Sequence, residues 1–208
     1  MALHFPQAEF DARITQTVAR MRNAGFAGML LFRQESMYWL TGYDTAGYSQ
    51  FQCLWLGVDG RMMLLTRSSD VRQADVTSII ADVRLWRDAE GANPAAILRQ
   101  ELSEHLVPGM MVGVEYASTT LNAQRGKLLD SAFSDVTLRD ASELISSLRA
   151  VKSDAELAYV REAGRIADEA WRAVLAECRP GASESDMLAA AYATTLRAGG
   201  DPAAARDR

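Results

Sequence analysis

The chain has 208 residues, of which 49% are hydrophobic and 24% are charged, and its formal net charge at pH 7 is −5. These values are those of an ordinary globular protein, and they exclude a collagen-like or wholly disordered chain. The mild acidity gives no electrostatic sign of a nucleic-acid partner or of an anionic membrane surface. The length allows one large domain, or one domain and part of another.

The sequence carries no sign of export or membrane insertion. Its first residues, MALHFPQAEFDAR, lack the basic and then apolar regions of a signal peptide. No apolar run approaches the roughly 20 residues that a membrane span needs. The two cysteines, Cys53 and Cys178, form neither a CxxC pair nor a disulfide framework, so both are expected to be reduced core thiols. We therefore predict a cytoplasmic protein without a membrane partner.

Up to Ala150 the sequence alternates between helical and strand-like patterns. Helices are predicted at 9–24, 36–41, from 69, at 94–106, from 118, and from 140 to about 149. Strands are predicted at 28–32, 52–57, 61–66, 82–86, 111–115 and 136–138. This alternation predicts an α/β fold for residues 1–150, a mixed β-sheet with helices on both faces.

Local signals mark several boundaries of these elements. Asp59-Gly60 between two apolar runs predicts a β-hairpin. Asn93-Pro94 predicts a helix start, with the asparagine as cap and proline at the first helical position. Ser118 is predicted to open the next helix, and Asp140 to open the last one as part of a capping-box-like pattern.

The pattern changes after the first 150 residues. Ser153 and Glu156 form a full capping box, which opens a helix with one long stripe of apolar and small residues. The stripe consists of Leu157, Val160, Gly164, Ala167, Trp171, Val174 and Cys178. Ser183 caps a second helix, which Gly199-Gly200 ends. The sequence therefore predicts an α-helical hairpin that buries too little to fold alone, followed by a disordered tail over 201–208.

No motif for metal, nucleophilic or nucleotide chemistry is found in the sequence. The two histidines are His4, near the N-terminus, and His105, at a predicted helix end. There is no HExxH, CxxC, GxGxxG or Walker loop, and no carboxylate cluster at ligand spacing. A complete small enzyme that uses His105 has no supporting motif. We therefore predict no catalytic residue, no metal ligand and no cofactor in this chain.

The candidate binding segment is the loop that follows the predicted helix 36–41. Residues 43–51 combine three aromatic rings with the hydrogen-bonding side chains of Asp44, Thr45, Ser49 and Gln50. The loop leaves a helix and enters the hairpin, so the scaffold holds both of its ends, and such loops carry binding more often than cores do. The alternative is an ordinary surface loop whose aromatic rings pack inward. The residues alone leave both interpretations open.

Two segments resemble one protein family. They are Ser36-Met-Tyr-Trp-Leu-Thr-Gly-Tyr43 and Leu148-Arg-Ala-Val-Lys-Ser-Asp-Ala-Glu-Leu-Ala-Tyr-Val-Arg-Glu-Ala163. Together they resemble the creatinase / Xaa-Pro dipeptidase (prolidase) family of pita-bread hydrolases, and Pro180–Asp186 and Gly199–Asp201 continue the resemblance. The resemblance implies a creatinase-type N-terminal α/β domain that ends near Ala150. It implies that residues 151–208 hold the first two helices of a truncated pita-bread catalytic domain.

The activity that the resemblance implies belongs to a longer protein. Full-length members hydrolyse C–N bonds in Xaa-Pro dipeptides, creatine or ectoine. Most peptidase members use a dinuclear centre, for which manganese, cobalt or zinc is expected, held by two Asp, one His and two Glu. Creatinase-like members use a catalytic histidine without metal. In either case those residues would follow Arg208, and Asp201 does not match a family ligand. We therefore expect this chain to be inactive alone.

The resemblance also gives the loop a role. In dimeric creatinase-like enzymes, the loop after the Leu-Thr-Gly motif reaches the active site of the neighbouring subunit. The substrate-binding residues implied here are Tyr43, Asp44, Tyr48 and Gln50. The resemblance implies that a creatinase would have an arginine near Gln50, which would bind the carboxylate of the substrate. This sequence has no arginine there, which argues against creatine. An ectoine-type substrate, another amide or a proline dipeptide stays open, and the implied protein partner is a second copy of the chain.

The leading interpretation is thus the non-catalytic N-terminal domain of a C–N bond hydrolase, which contributes to dimerisation and to the side of the active site where substrate enters. The alternative is a self-sufficient protein-interaction module. Its partner surface would be the exposed helical hairpin, with the apolar stripe from Leu157 to Cys178.

Overall fold

The structure, a computed structural model, describes residues 3–201 of the chain. The chain divides into two compact units, Met1–Ala150 and Val151–Arg208. Among residues 3–201, no helix combines the length and the apolar character that crossing a membrane requires. Apart from its first residue, the tail predicted to be disordered lies outside the described residues.

The first unit alternates helices and strands. Its helices are α1 (Gln7–Asn23), α2 (Gln34–Thr41), α3 (Ser68–Thr77), α4 (Pro94–Glu101), α5 (Ala123–Ala132) and α6 (Ser142–Ala150). Its strands are β1 (Gly28–Leu31), β2 (Cys53–Gly57), β3 (Met62–Thr66), β4 (Val83–Leu85), β5 (Met111–Val114) and β6 (Thr137–Asp140). These strands form one sheet in the order β4-β3-β2-β1-β5-β6.

Strand β2 runs against the other strands of this sheet. It pairs antiparallel with β1 and β3, whereas the pairs β1–β5, β5–β6 and β3–β4 are parallel. The reversal comes from the predicted hairpin, where Gly60 adopts a φ of +86° and its N–H donates to the Gly57 carbonyl. It follows that the other five strands end at one edge of the sheet, and that β2 begins there.

The central strands send alternate residues into two hydrophobic layers. Leu30 packs in one layer with residues of α4 and α5, such as Leu98 and Leu129. Met29 and Leu31 pack in the other layer with residues of α1, α2, α3 and α6. Strands β1 and β2 are therefore buried on both faces, as expected of continuous apolar runs. The predicted mixed sheet with helices on both faces is confirmed.

The second unit is the predicted helical hairpin. Helix α7 (Asp154–Glu177) begins with the predicted capping box, in which Ser153 Oγ accepts from the Glu156 N–H and Glu156 Oε2 accepts from the Ser153 N–H. Helix α8 (Glu184–Arg197) begins after Ser183, whose side chain accepts from the Ser185 N–H. Neither helix has a buried residue, and the indole of Trp171 is 61% exposed.

Two helix starts differ from the sequence prediction. The Ser118 hydroxyl donates to the Phe32 carbonyl, and α5 is capped instead by Asn122, whose side chain accepts from the Arg125 N–H. Helix α6 begins at Ser142, because Asp140 still belongs to β6, although the Asp140 side chain accepts from the Ser142 N–H as the predicted cap would. In both places tertiary contacts or strand pairing engage the residue that the local pattern marks as a cap.

Two further expectations were wrong. Helix α4 ends at Glu101 and not at 106, because the next residues form turns in which the His105 N–H donates to the Leu102 carbonyl. Cys53 lies in the core as expected, but Cys178 is exposed. Cys178 caps the end of α7, a helix that buries none of its apolar stripe within its own unit.

Candidate functional site

The loop that connects α2 to β2 lies at the edge of the sheet where the other strands end. The position follows from the topology, since β2 runs opposite to its neighbours and the chain must enter it at that edge. In open α/β sheets, ligands bind outside the carboxyl ends of the strands. Residues 43–52, which we call the edge loop, therefore occupy the expected place for a ligand site.

A buried carboxylate fixes the helix that leads into the edge loop. Glu115 follows β5, and its Oε2 accepts from the backbone N–H groups of Phe32 and Arg33, each at 3.0 Å. Its Oε1 accepts from Ser36 Oγ at 2.5 Å. Burial raises the pKa of Glu115, while the hydrogen bonds from Ser36 and the two amides oppose that rise. Acceptors at a helix N-terminus satisfy its free N–H groups, so Glu115 ties the start of α2 to the end of β5.

The Leu-Thr-Gly motif ends α2 and turns the chain into the edge loop. Gly42 is the C-cap, with a φ of +81°, and its N–H donates to the Tyr38 carbonyl. A Cβ at this position would lie 2.6 Å from the Thr77 carbonyl oxygen. Only glycine satisfies both demands, because it accepts a left-handed conformation and fills no space beyond its backbone.

A single buried amide organises the inside of the edge loop. Gln52 is fully buried, and its Oε1 accepts from the Tyr43 hydroxyl at 2.6 Å. Its Nε2 donates to Thr45 Oγ1 and to the Gly47 carbonyl, each at 3.3 Å. A Cβ on Gly47 would lie 1.9 Å from that Nε2, so any side chain here would have to displace the buried amide from its hydrogen bonds. Gln52 thus joins the beginning and the middle of the loop to the strand that follows it.

Neighbouring elements hold the loop from outside. The Asp44 N–H donates to Thr77 Oγ1 at 3.1 Å, and Thr45 Oγ1 donates to Asp70 Oδ1 at 3.4 Å, so two residues of α3 contact the loop. The side-chain amide of Gln34, in α2, donates to the Gly47 carbonyl at 3.3 Å. The loop is therefore a built structure whose shape depends on α2, α3 and β2 together.

The four predicted binding residues occupy two different depths. Tyr43 is fully buried beneath the loop, and burial raises the pKa of its phenol. Asp44, Tyr48 and Gln50 are partly exposed, and the Gln50 side chain donates to Ser49 Oγ. Tyr43 packs inward, as the alternative interpretation expects. In this conformation Tyr43 supports the loop, and the other three residues are the ones that a ligand could reach.

Arg125 is a residue of the site that the sequence did not indicate. It lies in the first turn of α5, and its Nη1 donates to the Ser49 carbonyl at 2.9 Å and to the Thr120 carbonyl at 2.7 Å. Burial lowers the pKa of Arg125, the charge of Arg67 lowers it further, and Asp88 opposes this. A guanidinium thus contacts the edge loop although none is near Gln50 in sequence. No local signal could have found it, since its partner lies 76 positions earlier.

Metal chemistry finds no support in the described residues. Among residues 3–201 there is no group of three or more His, Cys, Asp or Glu side chains that could hold a metal ion. These residues therefore do not fit a dinuclear centre of the kind that needs five such ligands.

The structure defines an α/β domain with a six-stranded mixed sheet, helices on both faces and a loop at the edge of the sheet. Comparison of the sequence with known families points to the same kind of domain. The Creatinase/Prolidase N-terminal domain family matches residues 13–151. The chain therefore belongs to this family, and the resemblance seen in the sequence is confirmed.

Relatives and solved structures extend the match beyond this domain. The uncharacterized hydrolase/peptidase y4tM of Sinorhizobium fredii is 28% identical over 91% of this chain and 50% of its own length. The ectoine hydrolase of Halomonas elongata is 25% identical over 92% of this chain and 50% of its own. The prolidase of Thermococcus sibiricus has a TM-score of 0.76 at 21% identity, over 92% of this chain and 50% of that chain, which shows a shared fold. The chain thus spans about half the length of the relatives it matches.

Proposed function

We propose that this chain is the non-catalytic N-terminal half of a C–N bond hydrolase of the creatinase/prolidase type. The observation that carries the proposal is the half-length match, in which over 90% of this chain aligns with only half of y4tM and of the ectoine hydrolase. Under this proposal the second unit is the beginning of the pita-bread catalytic domain. The catalytic groups, and a dinuclear manganese, cobalt or zinc centre where one is used, belong to the other half.

The proposed role of the first unit is to dimerise and to shape the entrance of the neighbouring subunit's active site. The edge loop supports this role, because it is held rigidly from α2, α3 and α5 while Asp44, Tyr48 and Gln50 remain partly exposed. A small amide or a dipeptide is the proposed substrate of the full-length protein, in the cytoplasm.

The inactivity of the isolated chain is tested by direct assay. The purified 208-residue chain is incubated with Xaa-Pro dipeptides, creatine and ectoine, with and without added Mn²⁺, beside the ectoine hydrolase of Halomonas elongata as a positive control. We expect no hydrolysis of any of these substrates by the chain. Turnover that rises in proportion to the amount of chain would overturn the proposal.

The role of the loop is tested in the full-length protein, once the downstream gene sequence is known. We expect Gln50→Ala to raise KM more than it lowers kcat, because this residue is proposed to contact substrate without taking part in bond cleavage. Gln7→Ala, on the exposed start of α1, is the matched control and should change neither constant. Equal kinetic constants for the wild type and Gln50→Ala would remove Gln50 from the proposed site.

The alternative function is a protein-interaction module that uses the helical hairpin. It is favoured by the apolar groove of about 510 Å³ between α7 and α8, which is lined by residues such as Ile166, Trp171, Val174 and Tyr192. Light scattering on the chain and on Trp171→Asp separates the two functions. A homodimer that Trp171→Asp dissociates supports the module, whereas a homodimer that survives the change agrees with dimerisation through the first unit.

A further inference from the structure

A cavity of about 510 Å³ opens beside the edge loop, at the same edge of the sheet. The parallel strands β3 and β4 end side by side there, with Thr66 paired to Leu85, so the residues that follow them face a common space. Arg67, Ser68 and Ser69 line one side of the cavity, and the segment from Trp86 to Asp88 lines the other. Its size is that of a small-molecule site.

The charge of Arg67 is incompletely matched by its neighbours. Its side chain is only 26% exposed, and its Nε is buried without a hydrogen-bond partner. Its two ion pairs are long, at 3.4 Å to Asp88 and 3.9 Å to Asp70. Asp70 also accepts hydrogen bonds from Thr45 and Ser69. A guanidinium removed from water with so few acceptors is costly, and an added oxyanion would supply the missing ones.

Two more guanidinium groups surround the same region. Arg87 lines the cavity, is exposed, and has no ion pair among the described residues. Arg125 lies close enough for the charges of Arg67 and Asp88 to act on it. Two carboxylates lie near Arg67: Asp88, which is 66% exposed and so pairs weakly, and Asp70, which is 15% exposed. Three guanidinium groups thus stand against two carboxylates. This corner of an acidic chain therefore carries more positive than negative charge.

We infer that this cavity binds an oxyanion group, a carboxylate or a phosphate, of a small ligand. Arg67 and Arg87 present planar donor forks that match such a group, and the hydroxyl of Ser68 is a further donor at the cavity wall. The site is joined to the edge loop, because the Trp86 indole N–H donates to the Phe51 carbonyl at 2.9 Å. We therefore expect a ligand bound in the cavity to change the environment of the edge loop. The inference does not depend on the proposed hydrolase function.

The test uses the 208-residue chain, labelled with ¹⁵N, and reads the indole N–H resonance of Trp86, which Trp86→Phe assigns. Inorganic phosphate and acetate are titrated separately at constant ionic strength, with chloride as the reference anion. We expect a saturable shift of the Trp86 signal with at least one of the two anions. Saturation by phosphate alone identifies a phosphate site, and saturation by acetate identifies a carboxylate site.

Substitutions separate a built site from general charge attraction. We expect Arg67→Gln and Arg87→Gln each to weaken binding about tenfold, since hydrogen bonds to charged groups are among the strong ones. Arg61→Gln removes the same charge from an exposed residue at the opposite edge of the sheet and should leave the affinity unchanged. Arg87 is exposed, so its variant is expected to fold even if Arg67→Gln does not. No saturable shift with either anion, or equal weakening by Arg61→Gln, would overturn the inference.

Discussion

Replacing Gln52 by Leu tests whether one buried amide holds the edge loop together. The change keeps most of the side-chain volume but removes the hydrogen bond from Tyr43 at 2.6 Å and the two weaker ones to Thr45 and Gly47 at 3.3 Å. Afterwards the buried Tyr43 hydroxyl keeps only the weaker contacts with its threonine neighbours, Thr66 Oγ1 at 3.5 Å and the side chain of Thr45. An orphaned buried hydroxyl costs about 1–3 kcal/mol, and the long bonds contribute less. We expect the free energy of unfolding to fall by about 2–3 kcal/mol.

The assay is urea unfolding followed by tryptophan fluorescence in a Trp171→Phe background. The remaining tryptophans, Trp39, Trp55 and Trp86, all lie in the first unit, so the signal reports that unit alone. Tyr43→Phe removes the same hydrogen bond from its other end and should cost about 1 kcal/mol.

The double variant decides whether the two groups act as a pair. We expect Gln52→Leu with Tyr43→Phe to cost about 1 kcal/mol less than the two single changes added together, because their shared hydrogen bond can be lost only once. Additive costs would contradict this prediction, because they would show that the 2.6 Å contact does not stabilise the fold.

Three other predictions follow from the same edge of the sheet. The pKa of Glu115 is raised in the folded state. The protonated Glu115 side chain therefore contributes to stability at a pH below its unfolded-state pKa, and this contribution is lost as the pH rises through its folded-state pKa. In urea unfolding from pH 4.5 to 8, the wild type should therefore lose stability relative to Glu115→Gln, and an opposite slope contradicts the assignment. Gly47→Ala places a methyl group 1.9 Å from a buried amide nitrogen and should cost about 1–3 kcal/mol in a thermal melt. Gly126→Ala, which meets nothing within 4 Å, should be neutral or stabilising, and equal effects of the two changes would argue against a tight loop. Arg125→Gln should speed amide hydrogen exchange in the edge loop by about tenfold, whereas Lys127→Gln on the same helix should not, and unchanged exchange in both would mean that the arginine does not restrain the loop.

Local turn and cap chemistry predicted most of the fold. Asp59-Gly60, Asn93 and the Ser153–Glu156 box each mark the element that the sequence assigned to them, because their chemistry acts within a few residues. The prediction that Ser118 opens a helix was wrong because this residue makes a long-range contact. Its hydroxyl satisfies a carbonyl 86 positions earlier, and no local pattern contains that contact.

The sequence predicted where the candidate site lies, but not which contacts hold it together. The composition of the loop and the Leu-Thr-Gly motif pointed to residues 43–51, and the topology puts them at the edge where ligands are expected. The inward position of the Tyr43 ring depends on its hydrogen bond with Gln52, which the sequence pattern predicts to be the first residue of a strand. The contact of Arg125 with the loop depends on the placement of α5 beside it, which only the folded chain reveals.

The reversed direction of β2 also has an evolutionary consequence. Its tight turn with β3 lies at one rim of the sheet, while the edge loop, anchored at Gly42 and Gln52, lies at the opposite rim. Insertions or deletions between these two anchors can therefore change the outline of the rim without shifting the register of any strand. Selection can in this way remodel what the rim recognises while the hydrophobic layers beneath it stay intact.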